Sequence, residues 1–141
     1  MEPREVQGRT APSSLQEISV PVLFDTTQLA LERTISGAAQ RHEALAANIA
    51  NATTPGYRRV DVDFHGALSA AMGAADAHDA VEHVGFSTQA DPTVGAVRAD
   101  GSGIDIDAES AKLAANALEQ QAAVSVHRAR TAILRSAMGV A

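Results

Sequence analysis

Two stretches of this chain repeat apolar or small residues at alternating steps of four and three. In the first, Leu31, Ile35, Ala38, His42, Leu45 and Ile49 form the repeat, with Glu32, Arg33, Arg41 and Glu43 off it. In the second, Leu113, Ala117, Gln120, Val124, His127, Thr131, Leu134 and Met138 do the same, and Leu118, Ile133 and Ala137 broaden the apolar face. Such spacing places one side of a helix against a partner. It predicts helices over 27–50 and 107–138, roughly 36 and 48 Å long at the usual rise per residue. Asp25, Thr26 or Thr27 would cap the first, and Asp105 or Asp107 the second, with Glu109 adding negative charge to its first turn.

Between them lies a corner. Asn48, Asn51, Thr53 and Thr54 carry side chains that divert backbone hydrogen bonds into local turns. Pro55 lacks an amide hydrogen and Gly56 accepts positive φ, which together suit a type II turn. After Tyr57, the residues Val60, Val62 and Phe64 alternate with Arg59, Asp61 and Asp63, predicting an extended segment. The corner and this segment occupy 51–65. From 66 to 103 small residues and glycines predominate, and a flexible middle is expected, with a short helix at Ala67–Met72 and a short strand at Val81–Phe86. Met1 to Ser19 reads as a disordered tail, leaving 20–141 as a single domain. The apolar patch Val20–Phe24 reads as a staple ahead of the first helix.

The fold class is therefore mainly α: two long terminal helices pairing as an antiparallel coiled coil, a short extended segment and a flexible middle. Composition limits the core. In 141 residues the apolar share is 45%, but much of that is alanine, and aromatics make up 3% (Phe24, Tyr57, Phe64 and Phe86). Two such helices bury too little to offset chain entropy, so the chain is expected to gain order by packing into a larger helical assembly.

The net charge of −6 argues against a nucleic-acid or anionic-membrane binder. No cysteine is present, so disulfides and thiolate metal sites are excluded. No apolar run approaches a membrane span, and no secretory h-region precedes Val20. Catalytic motifs fail on inspection. His42-Glu43 begins a zinc-protease helix motif, but Ala46 stands where its second histidine belongs. His65, His78 and His83 with Asp76, Asp79 and Glu82 have no compact ligand spacing. Asp100–Glu109 departs from a calcium loop at Ile104 and Asp105. Asn51-Ala52-Thr53 is a glycosylation sequon with meaning only in a secretory pathway. His127 has no nucleophile or carboxylate placed beside it. An enzyme is not expected, and no cofactor or metal is.

The run from Arg41 to Tyr57 (RHEALAANIANATTPGY) resembles the N-terminal signature of the flagellar rod, hook and hook–filament-junction proteins. Within that family, Arg58–Phe64 (RRVDVDF) and Gly103–Ala122 are most similar to subunits of the proximal rod. Thr53 stands where the family usually has aspartate, and Gln120 where it usually has tyrosine. The resemblance implies a structural subunit that polymerises through its terminal helices. Its partners would be itself, other rod and basal-body proteins, and the flagellar type III export apparatus. It would leave the cytoplasm without a cleaved signal and would not insert into the membrane. Asn48, Asn51, Thr54, Pro55, Gly56 and Tyr57 would form an assembly corner. Leu31, Ile35, Leu45, Ile49, Leu113, Val124 and Leu134 would pack helices, and Val22, Leu23 and Phe24 would serve as an export signal. Another rod subunit type and a cytoplasmic coiled-coil adaptor are the alternatives.

Overall fold

A computed structural model of the chain describes residues 25–90 and 104–139. It is mainly helical. In chain order the elements are α1 (Thr26–Ala50), β1 (Val60–Asp61), α2 (Phe64–Met72), α3 (Ala77–His83), β2 (Gln89–Ala90) and α4 (Ile106–Ala137). The predicted tail and the Val20–Phe24 patch lie outside the described residues, as does the stretch 91–103.

Aspartates start every helix. Asp25 accepts from the Thr27 amide, Asp63 from Gly66, Asp76 from Asp79, and Asp105 from Asp107 and Ala108. Each carboxylate satisfies an amide that the first turn leaves unpaired and faces the positive end of the helix dipole.

α4 lies along α1 with opposite chain direction. Arg130 reaches Asp25, His127 meets Gln28, Asn116 meets Ala38, and Glu109 meets Asn48. The buried side of α4 differs from the predicted one. Glu109, Asn116 and Ala123 are its buried residues. Leu113, Gln120, His127 and Leu134 flank them, half-buried, while Ala117 and Leu118 are exposed. Val124 and Thr131 are half-buried as well, so of the predicted repeat only Ala117 and Met138 are exposed, while its most buried positions are taken by a heptad of polar and small residues. His42, placed on the predicted seam of α1, is likewise exposed.

α1 also buries a second side. Ala30, Gly37 and Ala44 recur every seven residues and are all buried. Ala30 meets Ala71 of α2 and Val81 of α3, with Leu29, Leu68, Ala80 and Val84 around them. Ala44 and Ala38 meet Val62 and Phe64, joined by Val60 and Phe86. A Cβ added at Gly37 would fall 2.6 Å from the Phe64 Cβ, so only glycine admits the ring so close to the helix. Phe86 packs edge-on to Phe64 with ring centroids 6.1 Å apart, a favourable aromatic geometry.

Residues 66–90 of the middle carry more regular structure than their small residues imply. Of the expected strand at Val81–Phe86, residues 81–83 are instead the end of α3, because the Asp76 cap, Asp79 in the first turn and His83 in the last all favour a helix, and 84–86 follow it without regular structure. Phe64, read as the last extended residue, opens α2 under the Asp63 cap. The extended segment is short, and β1 pairs antiparallel with β2, Val60 opposite Ala90.

Candidate functional site

The corner is built from backbone upward. α1 ends at Ala50, and Asn51 caps it, its side-chain amide donating to the Ala47 carbonyl at 2.9 Å. The Thr54 amide donates to the Asn51 carbonyl at 2.9 Å, and the Tyr57 amide to the Thr54 carbonyl at 3.2 Å. Gly56 sits at φ 78°, the value required at the third residue of a type II turn. Thr54, Pro55 and Gly56 are exposed, and Tyr57 is half-buried.

Asn48, one turn before the cap, is completely buried and ties the outgoing chain to the helix. Its amide nitrogen donates to the Val60 carbonyl at 2.7 Å, and its oxygen accepts from the Val60 amide at 3.0 Å. The side chain therefore pairs with Val60 as a neighbouring strand would. The same oxygen accepts from the Tyr57 hydroxyl at 3.4 Å, and the same nitrogen donates to Glu109 Oε2 at 2.9 Å. An asparagine supplies these donors and acceptors in one plane, which neither aspartate nor leucine can.

Glu109 extends the arrangement into a chain of charges. It is 2% exposed, and its Oε1 accepts from Arg59 Nε at 2.7 Å and Lys112 Nζ at 3.0 Å. Arg59, itself buried, also reaches Asp61 at 3.1 Å, and Arg41 of α1 grips Asp61 through two nitrogens at 2.9 and 3.3 Å. Positive and negative groups alternate from α4, across the post-corner segment, to α1. Burial alone would raise the Glu109 carboxyl, but hydrogen bonds from Arg59, Asn48 and Lys112 outweigh it and hold the group below its ordinary 4.5. Asp61 is likewise held below 3.8, since Arg41, the Val62 amide and Arg59 overcome its desolvation. Arg59 loses stability of its charge to burial, yet Glu109 and Asp61 raise it above its usual value. Both carboxylates are thus ionised at neutral pH. No nucleophile or poised base takes part; the arrangement holds three segments in register.

Among the remaining predicted site residues, Leu45 is fully buried, and Leu31, Ile35, Ile49, Leu113, Val124 and Leu134 are half-buried. Val22, Leu23 and Phe24 lie outside the described residues. The histidines are dispersed: His65 pairs with Glu119 of α4, His78 with Thr26, and His83 with Asp79 on its own helix. Sequence reasoning missed Arg41, Arg59, Asp61 and Asn116, and read Glu109 only as a dipole partner. One signal was available. Arg59 and Asp61 are opposite charges two apart in an extended run, on one face and within pairing reach.

Beyond the site, α4 presents an apolar stripe on the side away from α1. Leu118 and Ile133 are each 69% exposed and Val126 54%, with alanines at 115, 122 and 129 between them.

A family profile described as "Flagella basal body rod protein" matches residues 29–58, the second half of α1 and the corner included. The flagellar basal body rod protein FlgB of Salmonella typhimurium is 35% identical over 103 residues, 62% of this chain and 75% of that protein. Its Escherichia coli counterpart is 37% identical over 102 residues, covering 62% and 74%. The FlgB of Yersinia enterocolitica is 32% identical over 103 residues, covering 62% and 75%.

Proposed function

Since this chain belongs to the FlgB family of flagellar basal body rod proteins, we propose that its α1–α4 pair is the coiled-coil layer through which it stacks into the proximal rod. The chain is a structural subunit and not an enzyme. Its partners in this reading are further copies of itself and neighbouring rod proteins, reached after export by the flagellar type III route without cleavage. It then occupies the rod that crosses the periplasm.

The exposed stripe of Leu118, Val126 and Ile133 carries the reading. An isolated chain gains nothing from holding three large apolar side chains in water along one helix face, and a contiguous patch of that kind marks a protein-binding surface. In a tube of repeated subunits it is covered by the next helix, and head-to-tail contacts that do not close on themselves generate a helical assembly. The corner supports the same account. Asn48, Glu109 and Arg59 fix where the exposed Thr54-Pro55-Gly56 tip and Tyr57 stand relative to both long helices, so each copy offers its neighbour the same surface. No helix among the described residues is long and apolar enough to cross a membrane.

The test replaces the stripe and spares the core. A chain carrying Leu118→Glu and Val126→Glu should retain its helical circular dichroism and reach the periplasm, yet give no basal-body rod and no motility. Wild-type motility in that strain would remove the stripe from the assembly. A wild-type chain that stays in the soluble cytoplasmic fraction, absent from purified basal bodies, would favour an adaptor instead.

A further inference from the structure

α4 carries two repeats of different period. Toward α1 its buried residues Glu109, Asn116 and Ala123 recur every seven. Its outer stripe recurs every eleven: Ala115, Leu118 and Ala122 are followed, at the same steps of three and four, by Val126, Ala129 and Ile133. All six are exposed, Leu118 and Ile133 to 69% and Val126 to 54%. The two halves of the stripe are opposite in volume. The first reads small, large, small, and the second large, small, large. Nothing charged lies within it. Glu119 and Arg130, which adjoin it in sequence, already pair with His65 and Asp25.

We propose that the first half of this stripe packs on the second half of the same stripe in a neighbouring copy, the two α4 helices running parallel. The proposal rests on the rod reading above and adds its partner and its register. Displacing one copy by eleven residues, roughly 16 Å along the helix, sets Ala115 opposite Val126, Leu118 opposite Ala129 and Ala122 opposite Ile133. Each large side chain then meets a small one, which fills the contact without voids or overlap. A second copy is the fitting occupant for two reasons. An uncharged stripe offers a charged partner nothing to match. Among the described residues α1 exposes no large apolar side chain and α2 only Met72, so α4 is the helix of another copy that can cover this one. An eleven-residue repeat pairs helices with a shallow right-handed twist, opposite in hand to a heptad contact such as that with α1. The pairing uses half of each stripe, which leaves the other half for a further copy, so the contact propagates instead of closing.

The chain contains no cysteine, so an engineered pair reports cleanly. Positions 118 and 129 of one helix lie roughly 16 Å apart, beyond disulfide reach, so any bond between them joins two copies. In basal bodies purified from cells making the full chain with Leu118→Cys and Ala129→Cys, oxidation should give a ladder extending beyond the dimer. Intact basal bodies without that ladder overturn the pairing and leave the rod assignment standing. Absence of the wild-type chain from basal bodies overturns both. Val126→Cys with Ala129→Cys reports the antiparallel arrangement, in which those two positions meet across a two-fold axis. A disulfide-linked dimer as its main product overturns the parallel register. A volume exchange dispenses with cysteines. Ala129→Leu, at a site exposed in the single chain, should shrink the swimming halo about two-fold, and adding Leu118→Ala should restore most of the loss. Full swimming with Ala129→Leu alone, or no recovery in the double variant, overturns the proposal.

Discussion

Asn48 is the residue on which the corner turns, because its side chain replaces a strand that the fold lacks. Removing it leaves the Val60 amide and carbonyl without their partner and takes one donor from Glu109. Each buried polar group so orphaned costs about 1–3 kcal/mol. Asn48→Ala should therefore destabilise the chain by about 2–4 kcal/mol, read as a lower urea midpoint in circular dichroism. Gly37 works by what it omits. The Phe64 Cβ and ring occupy the space where a methyl would stand, and neither the Cβ nor the α1 backbone is a flexible end that can step aside. Gly37→Ala should cost about 1–3 kcal/mol despite the better helix propensity of alanine, and urea unfolding distinguishes the two outcomes by sign. Gly56 differs from both, since nothing lies within 4 Å of an added Cβ there and its role is confined to φ 78°.

At the scale of elements, α1 is a helix with two duties. One side meets α4, and the stripe of Ala30, Gly37 and Ala44 lets α2, α3 and the post-corner segment approach. Phe64 is the large side chain that fills this second contact, fully buried against Ala38, Ala44 and Val62. Phe64→Ala should destabilise by about 3–5 kcal/mol, and the loss should show as faster amide exchange in α2 ahead of α4. α4 shows where periodicity falls short of naming the most buried positions. Ala117 and Met138 look better suited to a seam than Glu109 and Asn116, because burying charged or polar groups without partners is prohibitive. The partners exist, but they come from positions 48 and 59 for Glu109 and 38 for Asn116, which no local window contains.

At the scale of the whole molecule, the charge network joins both ends of the sequence, so stability should follow its titration. Glu109 and Asp61 have folded values below their ordinary 4.5 and 3.8. The folded state therefore binds protons less readily than the unfolded one, and the stabilisation is fully present above about pH 4.5. It is lost as pH falls through the lower folded values. Acid titration followed by helical ellipticity should show loss of structure below about pH 4.5, and Arg59→Gln should move that transition upward. An acid midpoint indifferent to Arg59→Gln would separate the network from global stability.

Several features were legible along the chain because they depend on neighbours in sequence. The four aspartate caps, the two long helices, and the Pro55-Gly56 turn with its positive φ all arise from forces acting within a turn or two. The resemblance to flagellar rod and hook proteins was legible too, from Arg41 to Tyr57, and Arg58–Phe64 with Gly103–Ala122 narrowed it to the proximal rod. Which face each helix hides was decided only by tertiary structure. Glu109 and Arg59 are 50 residues apart and Asn116 and Ala38 are 78 apart, and burial of a charge becomes acceptable only when its partner arrives from such a distance. The same holds for α2 and α3, whose small residues cannot build a core alone but complete one against the alanine and glycine stripe of α1.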